Sequence, residues 1–264
     1  MKKNFPAELV YQIFSLLIAF IIVHAVYVTL VRPQATAFLE QESANMLADP
    51  GYVQQRSFFV VIKDYEQETC FVLMLWAFSI LGYKGRAVFQ QQKLLERDLL
   101  QLPENLPIGS EDTRSLAERI RSLPGQMQNW LLPRALLTAI ERFSATQNVQ
   151  NVSTAARDVC SSEGERLESE LSIIRYIAWA IPSVGFIGTV RGIGDALGQA
   201  HRAVEGDITG VTASLGVAFN STFIALVISI VLMFFVYQLQ LVQERLVLDS
   251  ERYVDSWLVR RLKS

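Results

Sequence analysis

Two long runs without a charged residue constrain this chain more than any other feature of its sequence. Residues 9–31 and 208–243 contain no Asp, Glu, Lys or Arg, and both are rich in Leu, Ile, Val and Phe. About 20 mostly apolar residues are enough to cross the hydrocarbon core of a bilayer. Each run is therefore long enough for a membrane-spanning helix. We expect the first to be a retained helix rather than a signal peptide, because no small-residue cleavage site follows it.

Two shorter uncharged runs, residues 69–83 and 176–190, could by themselves be buried core helices. Beside two long spans they are better interpreted as membrane helices, whose flanking cations Lys84, Arg175 and Arg191 can reach the interface. The composition agrees, since 51% of the residues are hydrophobic and only 19% are charged. A net charge of −2 and only two cysteines argue against a basic nucleic-acid binder and against a disulfide scaffold.

The distribution of basic residues predicts the orientation of the spans. Segment 84–171 holds eleven Lys and Arg and segment 238–264 holds five, whereas segment 32–68 holds three together with six acids. Because cytoplasmic loops carry an excess of Lys and Arg, the first two segments and the N-terminus, with Lys2 and Lys3, are predicted to lie in the cytoplasm. Four helices with both ends inside agree with this distribution.

The sequence therefore predicts an all-α integral membrane protein with four transmembrane helices and long cytoplasmic helical extensions. We expect the 32–68 loop to be broken at Pro33, Pro50 and Gly51. The predicted segments are the N-terminal tip and first span (1–31), a periplasmic loop (32–68), the second span (69–83), a cytoplasmic helical segment (84–171), the third span (172–198), a short periplasmic loop (199–211), the fourth span (212–237) and a cytoplasmic helical tail (238–264).

The third and fourth spans differ from the first two in carrying faces of small residues. At steps of three and four, one face of the third span carries Pro182, Gly185, Thr189, Gly192 and Ala196. One face of the fourth carries Ser214, Ala218, Ser221, Thr222, Ala225 and Ser229. Small residues allow helices to approach closely in lipid. Hydroxyls among small residues can instead line a hydrated path for a cation or a proton. The sequence leaves both interpretations open.

Several single residues in or beside the spans have both a structural and a functional interpretation. Pro182 frees a backbone carbonyl in mid-span, so it predicts either a fixed kink or a hinge. Arg191 and Asp195 are four residues apart and are expected to pair with each other. His24, alone in the first span, is expected to be a packed or interfacial polar group rather than a proton carrier.

The chemistry that the sequence lacks is also informative. It contains no nucleophile–base set and no Cys/His metal cluster, so an enzyme, a metal site and a bound cofactor are not expected. The charge-free stretches of the third and fourth spans hold no carboxylate, which is the usual proton carrier inside membranes. If the protein conducts protons, the titrating group is expected on another chain.

The string IPSVGFIGTVRGIGDAL resembles the proline-led, glycine-rich third helix of the MotA/TolQ/ExbB family, and AFNSTFIALVISI at 218–230 resembles the helix that follows it. On this alignment Thr189 and Thr222 match the two family threonines. Pro182, Gly185, Gly188 and Gly192 match the family proline and glycines. The chain departs from the pattern at two positions, because Val217 stands where TolQ- and ExbB-like members often carry a glutamate and Ala225 where a glycine is usual.

The resemblance implies an ion-motive-force-driven motor subunit that conducts H⁺ or Na⁺. It implies a homopentamer around a dimer of a single-span MotB/TolR/ExbD-like partner, whose intramembrane aspartate carries the ion. Under the resemblance Thr189 and Thr222 would border the ion path, opposite the partner aspartate. From the residues alone, Pro182 is the candidate hinge, and the small-residue faces are expected to pack against each other or to face the partner. A flagellar role is less favoured than an accessory one, because the cytoplasmic segment lacks a match to rotor-binding charges.

Two other classes of function are left open by the sequence. The protein could be a non-conducting membrane scaffold whose third and fourth helices only pack. A small-solute transporter is the last alternative, since the two halves show no inverted repeat.

Overall fold

Long apolar helices dominate the computed structural model, which describes residues 7–48, 52, 55, 57–100, 108–109 and 111–262. Within these residues the chain forms helices and no sheet, so the all-helical prediction is confirmed. The helices are α1 (Ala7–Val26), α2 (Arg32–Ala48), α3 (Phe58–Ile62), α4 (Tyr65–Leu95), α5 (Asp112–Arg121), α6 (Leu131–Thr146), α7 (Val149–Glu170), α8 (Ser172–Gly198), α9 (Ala200–Val204) and α10 (Thr209–Trp257).

Four helical stretches are long and apolar enough to cross a membrane. They cover Glu8–Ala48, Tyr65–Leu95, Val149–Gly198 and Thr209–Arg261, and their lengths run from 31 to 53 residues. Since a helix rises about 1.5 Å per residue, about 20 residues suffice for the bilayer core. The structure therefore contains four candidate membrane-spanning helices, the number predicted, and each stretch is longer than a bilayer needs.

The expected break at Pro33 is absent, because a π-helical turn at Tyr27–Val31 joins α1 directly to α2. In this turn the backbone N–H of Arg32 donates to the carbonyl of Tyr27, five residues earlier. The wider turn changes the hydrogen-bond register just before Pro33, which has no backbone N–H to donate. The helix consequently continues to Ala48. The other predicted breakers, Pro50 and Gly51, and the basic residues Lys2 and Lys3 lie outside the described residues.

The chain divides into two compact units. The first comprises Met1–Leu81 and Ile173–Val236, and the second comprises Gly82–Ser172 and Tyr237–Ser264. Many large apolar side chains on the first unit are exposed, which is expected of a surface that contacts lipid or other membrane helices and not water. Examples are Ile13, Phe14, Phe186, Phe219 and Phe223, each more than half exposed.

The second unit has an apolar core with one buried carboxylate beside it. The core includes the side chains of Leu131, Leu136, Ile140 and Phe143, which are all less than 2% exposed. Glu163 of α7 is also buried, and its two oxygens accept hydrogen bonds from Arg134 of α6 and Arg166 of its own helix. Two cationic partners offset the cost of removing that carboxylate from water.

Two residues, Gln147 and Asn148, form the turn that joins α6 to α7. Gln147 takes a left-handed conformation with φ 49°, and its N–H donates to the carbonyl of Phe143, which ends α6. The side chain of Asn148 then accepts hydrogen bonds from the backbone N–H groups of Gln150 and Asn151, at 2.9 and 3.2 Å, and so begins α7. This cap satisfies two donors that have no partner inside the helix.

We predict that Asn148→Ala destabilises the second unit by about 1 kcal/mol, because those two N–H groups lose their acceptor. The melting temperature of the purified protein should fall by about 2–4 °C. Asn148→Asp keeps an acceptor at the same position and should melt like the wild type. Equal melting of the Ala and Asp variants would contradict the capping role.

Candidate functional site

A glycine face on α8 lies directly against the backbone of α10. Gly192 is buried, and a Cβ placed on it would lie 2.7 Å from both the amide nitrogen of Ala218 and the carbonyl oxygen of Ser214. A Cβ on Gly188 would lie 2.5 Å from the Cβ of Ser221. Real side chains do not make contacts this short, so only glycine permits the two helices to pack at this distance.

The same contact continues along both helices. A Cβ on Gly185 would lie 3.0 Å from the carbonyl oxygen of Ser221 and would overlap the methyl group of Ala225. At the other end of the face Ala196 is buried, and Ser214 accepts a hydrogen bond of 3.1 Å from Gln199. The small-residue faces predicted on the third and fourth spans therefore meet each other within one chain.

The two threonines that the sequence singled out are in contact with each other. The hydroxyls of Thr189 on α8 and Thr222 on α10 share a hydrogen bond. The Thr189 hydroxyl can also donate to the carbonyl of Ala218 at 3.0 Å, and the Thr222 hydroxyl to that of Gly185 at 3.1 Å. Both threonine side chains are half-buried.

This threonine pair has more hydrogen-bond acceptors than hydrogens. Each hydroxyl carries one hydrogen, so two hydrogens serve one hydroxyl–hydroxyl bond and three hydroxyl–carbonyl bonds, the third running from Thr189 to the carbonyl of Gly185 at 3.4 Å. If one hydroxyl donates to the other, at least one of the two carbonyls has no hydroxyl donor. Rotation of one hydroxyl about its C–O bond exchanges this arrangement with the one in which both hydroxyls donate to carbonyls. The pair can therefore accept a hydrogen from one side and donate one on the other, which is what a hydroxyl that relays protons does.

Pro182 lies inside α8 without ending it. It has no N–H for the carbonyl of Ala178, four residues earlier. The hydroxyl of Ser229 on α10 donates to that carbonyl at 2.9 Å. The neighbouring helix thus replaces the donor that the proline removes, so the proline is accommodated at the same α8–α10 contact that holds the threonine pair.

Arg191, one turn from the glycine face, does not pair with Asp195 as the four-residue spacing predicts. Its guanidinium makes two hydrogen bonds to Glu66 of α4, at 2.7 and 2.8 Å. A two-bond contact with a carboxylate matches the fork of the guanidinium, and it is stronger than a pair between exposed side chains on one helix. The Cγ of Glu66 also lies 3.1 Å from the Cβ position of Gly188.

His24 also has an ionic partner from α4. Its Nδ1 donates to Glu68 at 2.7 Å, and the other carboxylate oxygen of Glu68 pairs with Arg32. Glu68 is only 6% exposed. Sequence reasoning misses both α4 carboxylates as site residues, because Glu66 and Glu68 precede the uncharged run 69–83. They lie in the predicted periplasmic loop, whose end is expected to extend the second helix. The available signal for these two site residues was the position of two acids directly before the apolar run 69–83.

The glycine face gives a direct stability prediction. Gly192→Ala places a methyl group against two backbone atoms of α10, which should cost about 1–3 kcal/mol and lower the melting temperature by about 2–4 °C for each kcal/mol. Gly194→Ala is the matched control on the same helix, since no atom lies within 4 Å of its Cβ position. A Gly192→Ala protein that melts no lower than the control would refute the close contact.

The comparison with family models gives one match. Residues 127–252 match the MotA/TolQ/ExbB proton channel family, a region that includes α6, α7, α8 and most of α10. A search of curated proteins and of solved structures finds no match. The matched region contains the threonine pair, the glycine face and Pro182, so the resemblance noted in the sequence is confirmed. The chain is therefore similar to the MotA/TolQ/ExbB proton channel family over this region.

Proposed function

We propose that the protein is a stator-type subunit of an ion-driven motor and that H⁺ or Na⁺ passes beside Thr189 and Thr222. The observation that carries the proposal is the threonine pair, whose two hydrogens serve four possible hydrogen bonds. It lies within the region that matches a proton channel family. The half-buried position of both hydroxyls leaves one side of the pair open to a neighbouring chain or to water.

A partner must complete the path in this proposal. The uncharged run 208–243 and the run 176–190 hold no carboxylate that could carry an ion between the threonines. A single-span MotB/TolR/ExbD-like protein with an intramembrane aspartate would supply that group. The exposed apolar faces of α8 and α10 provide contact area for such helices and for further copies of this chain, which we propose form a homopentamer around a partner dimer.

The proposed location is a bacterial inner membrane with both chain ends in the cytoplasm. The support is the excess of Lys and Arg in segments 84–171 and 238–264 over segment 32–68. In this orientation α2, α3 and α9 lie on the periplasmic side. The flux would then drive movement of the subunit ring relative to its partner, and mechanical work across the envelope would follow.

A non-conducting scaffold is the second candidate, because one observation favours it. The hydroxyls of Thr189 and Thr222 find all their hydrogen-bond partners within one chain, among carbonyls of α8 and α10. Such bonds stabilise helix packing in a membrane whether or not an ion passes. A scaffold needs the packing alone, whereas a channel needs the hydroxyls themselves. A solute transporter would need a binding cavity near the membrane midplane, whereas the proposed stator-type subunit needs none.

We predict that replacing both Thr189 and Thr222 by valine abolishes ion-dependent work while assembly persists. Valine has nearly the shape of threonine but cannot exchange a hydrogen. Ion flux into liposomes that contain the protein and its partner should fall by about tenfold or more, which corresponds to at least ~1.4 kcal/mol added to the barrier.

Thr212→Val is the matched control for this experiment. The Thr212 hydroxyl lies on α10, as that of Thr222 does, and it donates to the carbonyls of Ile208 and Thr209. Flux through the control should equal that of the wild type. Full flux through the double variant would remove the threonine pair from the ion path. A stable complex that carries no partner and no flux in the wild type would favour the scaffold.

A further inference from the structure

Three buried oxygen atoms near the start of α4 have no hydrogen-bond partner among the described residues. They are the hydroxyl of Tyr27, the side-chain carbonyl of Gln67 and one carboxylate oxygen of Asp64. Tyr27 is 3% exposed and Gln67 is fully buried. All three residues lie outside the region that matches the channel family. We refer to Tyr27, Asp64 and Gln67 as the buried oxygen cluster.

The surroundings of the cluster are charged and tightly paired. The guanidinium of Arg32 lies 5.7 Å from the ring centre of Tyr27 and pairs with Glu68, which also binds His24. The charges of Glu68, Arg32 and Asp64 all act on the Tyr27 hydroxyl. The polar groups of the end of α1, the start of α2 and the start of α4 therefore form one electrostatic neighbourhood.

Asp64 connects this neighbourhood to α8. The charged groups that act on its carboxylate are Lys63 and Glu66 from its own segment, Arg32 from α2 and Arg191 from α8. Arg191 is held by Glu66, whose Cγ lies 3.1 Å from the Cβ position of Gly188. Asp64 is thus within electrostatic reach of Arg191, which lies two residues after Thr189 on α8.

The chemistry of the three atoms indicates what would occupy the space beside them. Buried polar atoms in native proteins are nearly always satisfied by a protein group or by ordered water. A carboxylate oxygen and an amide carbonyl accept hydrogens, and a phenol can donate one. Water both donates and accepts, so it matches the set. The nearby guanidinium groups of Arg32 and Arg191 disfavour a metal cation.

We propose that Tyr27, Asp64 and Gln67 hold ordered water and that Asp64 takes up a proton there. The binding of water and a proton is independent of the proposed function. A further step, in which this proton supplies the ion path at Thr189, rests on the proposed function. In the proposed orientation the cluster lies at the periplasmic end of the spans, where protons enter.

The electrostatics of Asp64 agree with proton uptake. Burial raises the pKa of its carboxyl above the usual value, and Glu66 adds to that increase, whereas Lys63, Arg191 and Arg32 oppose it. A raised pKa means that the folded protein binds a proton at a pH where the unfolded chain has lost it. The stability contributed by protonated Asp64 is therefore present at low pH and is lost as the pH rises through its folded pKa.

Infrared difference spectroscopy of the purified protein tests the proton. As the pH is lowered, the wild type should gain the C=O band of a protonated carboxyl at a higher pH than that at which the exposed carboxyls titrate, because the pKa of Asp64 is raised. Asp64→Asn should lose this band. Asp207→Asn should keep it, because Asp207 is an exposed carboxylate whose pKa is lowered by a hydrogen bond from the backbone N–H of Thr209. A band that persists in Asp64→Asn overturns the proposal.

A melting experiment tests the water. If the Tyr27 hydroxyl binds water, Tyr27→Phe should lower the melting temperature by about 2–4 °C, since the water loses a partner. If the hydroxyl has no partner, its removal should leave the melting temperature unchanged or raise it, because an unsatisfied buried group is removed. Tyr237→Phe, at a ring that is 57% exposed, is the control. A Tyr27→Phe protein at least as stable as the wild type contradicts a hydrated cluster.

The role in flux is tested separately. In the liposome assay Asp64→Asn should slow proton entry several-fold, and Asp207→Asn should not. If Asp64→Asn loses the infrared band but keeps the wild-type flux, Asp64 is a proton site that does not supply protons to the ion path. Full flux in the Thr189 and Thr222 double variant, with the infrared result intact, would reject the proposed function and leave the proton site standing.

Discussion

The close contact between α8 and α10 is the constraint on which the rest of the first unit depends. In lipid, apolar side chains gain little by leaving one apolar surrounding for another, so helices associate through close packing and hydrogen bonds. Gly185, Gly188 and Gly192 permit that packing because each faces an α10 backbone or a small side chain at a distance that excludes a Cβ. The hydrogen bonds of the threonine pair and of Ser229 form only because the helices are this close.

A second set of contacts ties the other spans to this pair. The start of α4 carries Glu66 and Glu68, which are separated by one residue and bind different neighbours. Glu66 holds Arg191 of α8, and Glu68 holds His24 and Arg32. A charge in a membrane-spanning bundle is tolerated when it is paired and faces the interior. One short segment therefore connects the first spanning helix to the helix that carries Thr189.

Much of this arrangement could be predicted from the sequence, and the parts that could not share a cause. The uncharged runs predicted four spans, and the three- and four-residue spacing put Gly185, Thr189 and Gly192 on one side of a helix. Spacing within a helix also suggested that Arg191 pairs with Asp195, which is wrong, because the true partner lies 125 residues away on α4. Similarly, His24 looked solitary because its partner Glu68 lies in a segment assigned to a loop. Local periodicity determines which face a residue occupies but not which helix covers that face.

Packing and charge are separated in this bundle. The glycine and threonine contacts between α8 and α10 involve no ionisable side chain of either helix, and their hydroxyls can reorient without moving the backbone. The ionisable groups are concentrated at the start of α4, beside rather than within the glycine face. A carboxylate placed on that face would need room for its side chain and a cationic partner, and the Cβ contacts at Gly188 and Gly192 exclude both. Close packing therefore requires that any titrating group reach the threonines from outside the α8–α10 pair, either from α4 or from another chain.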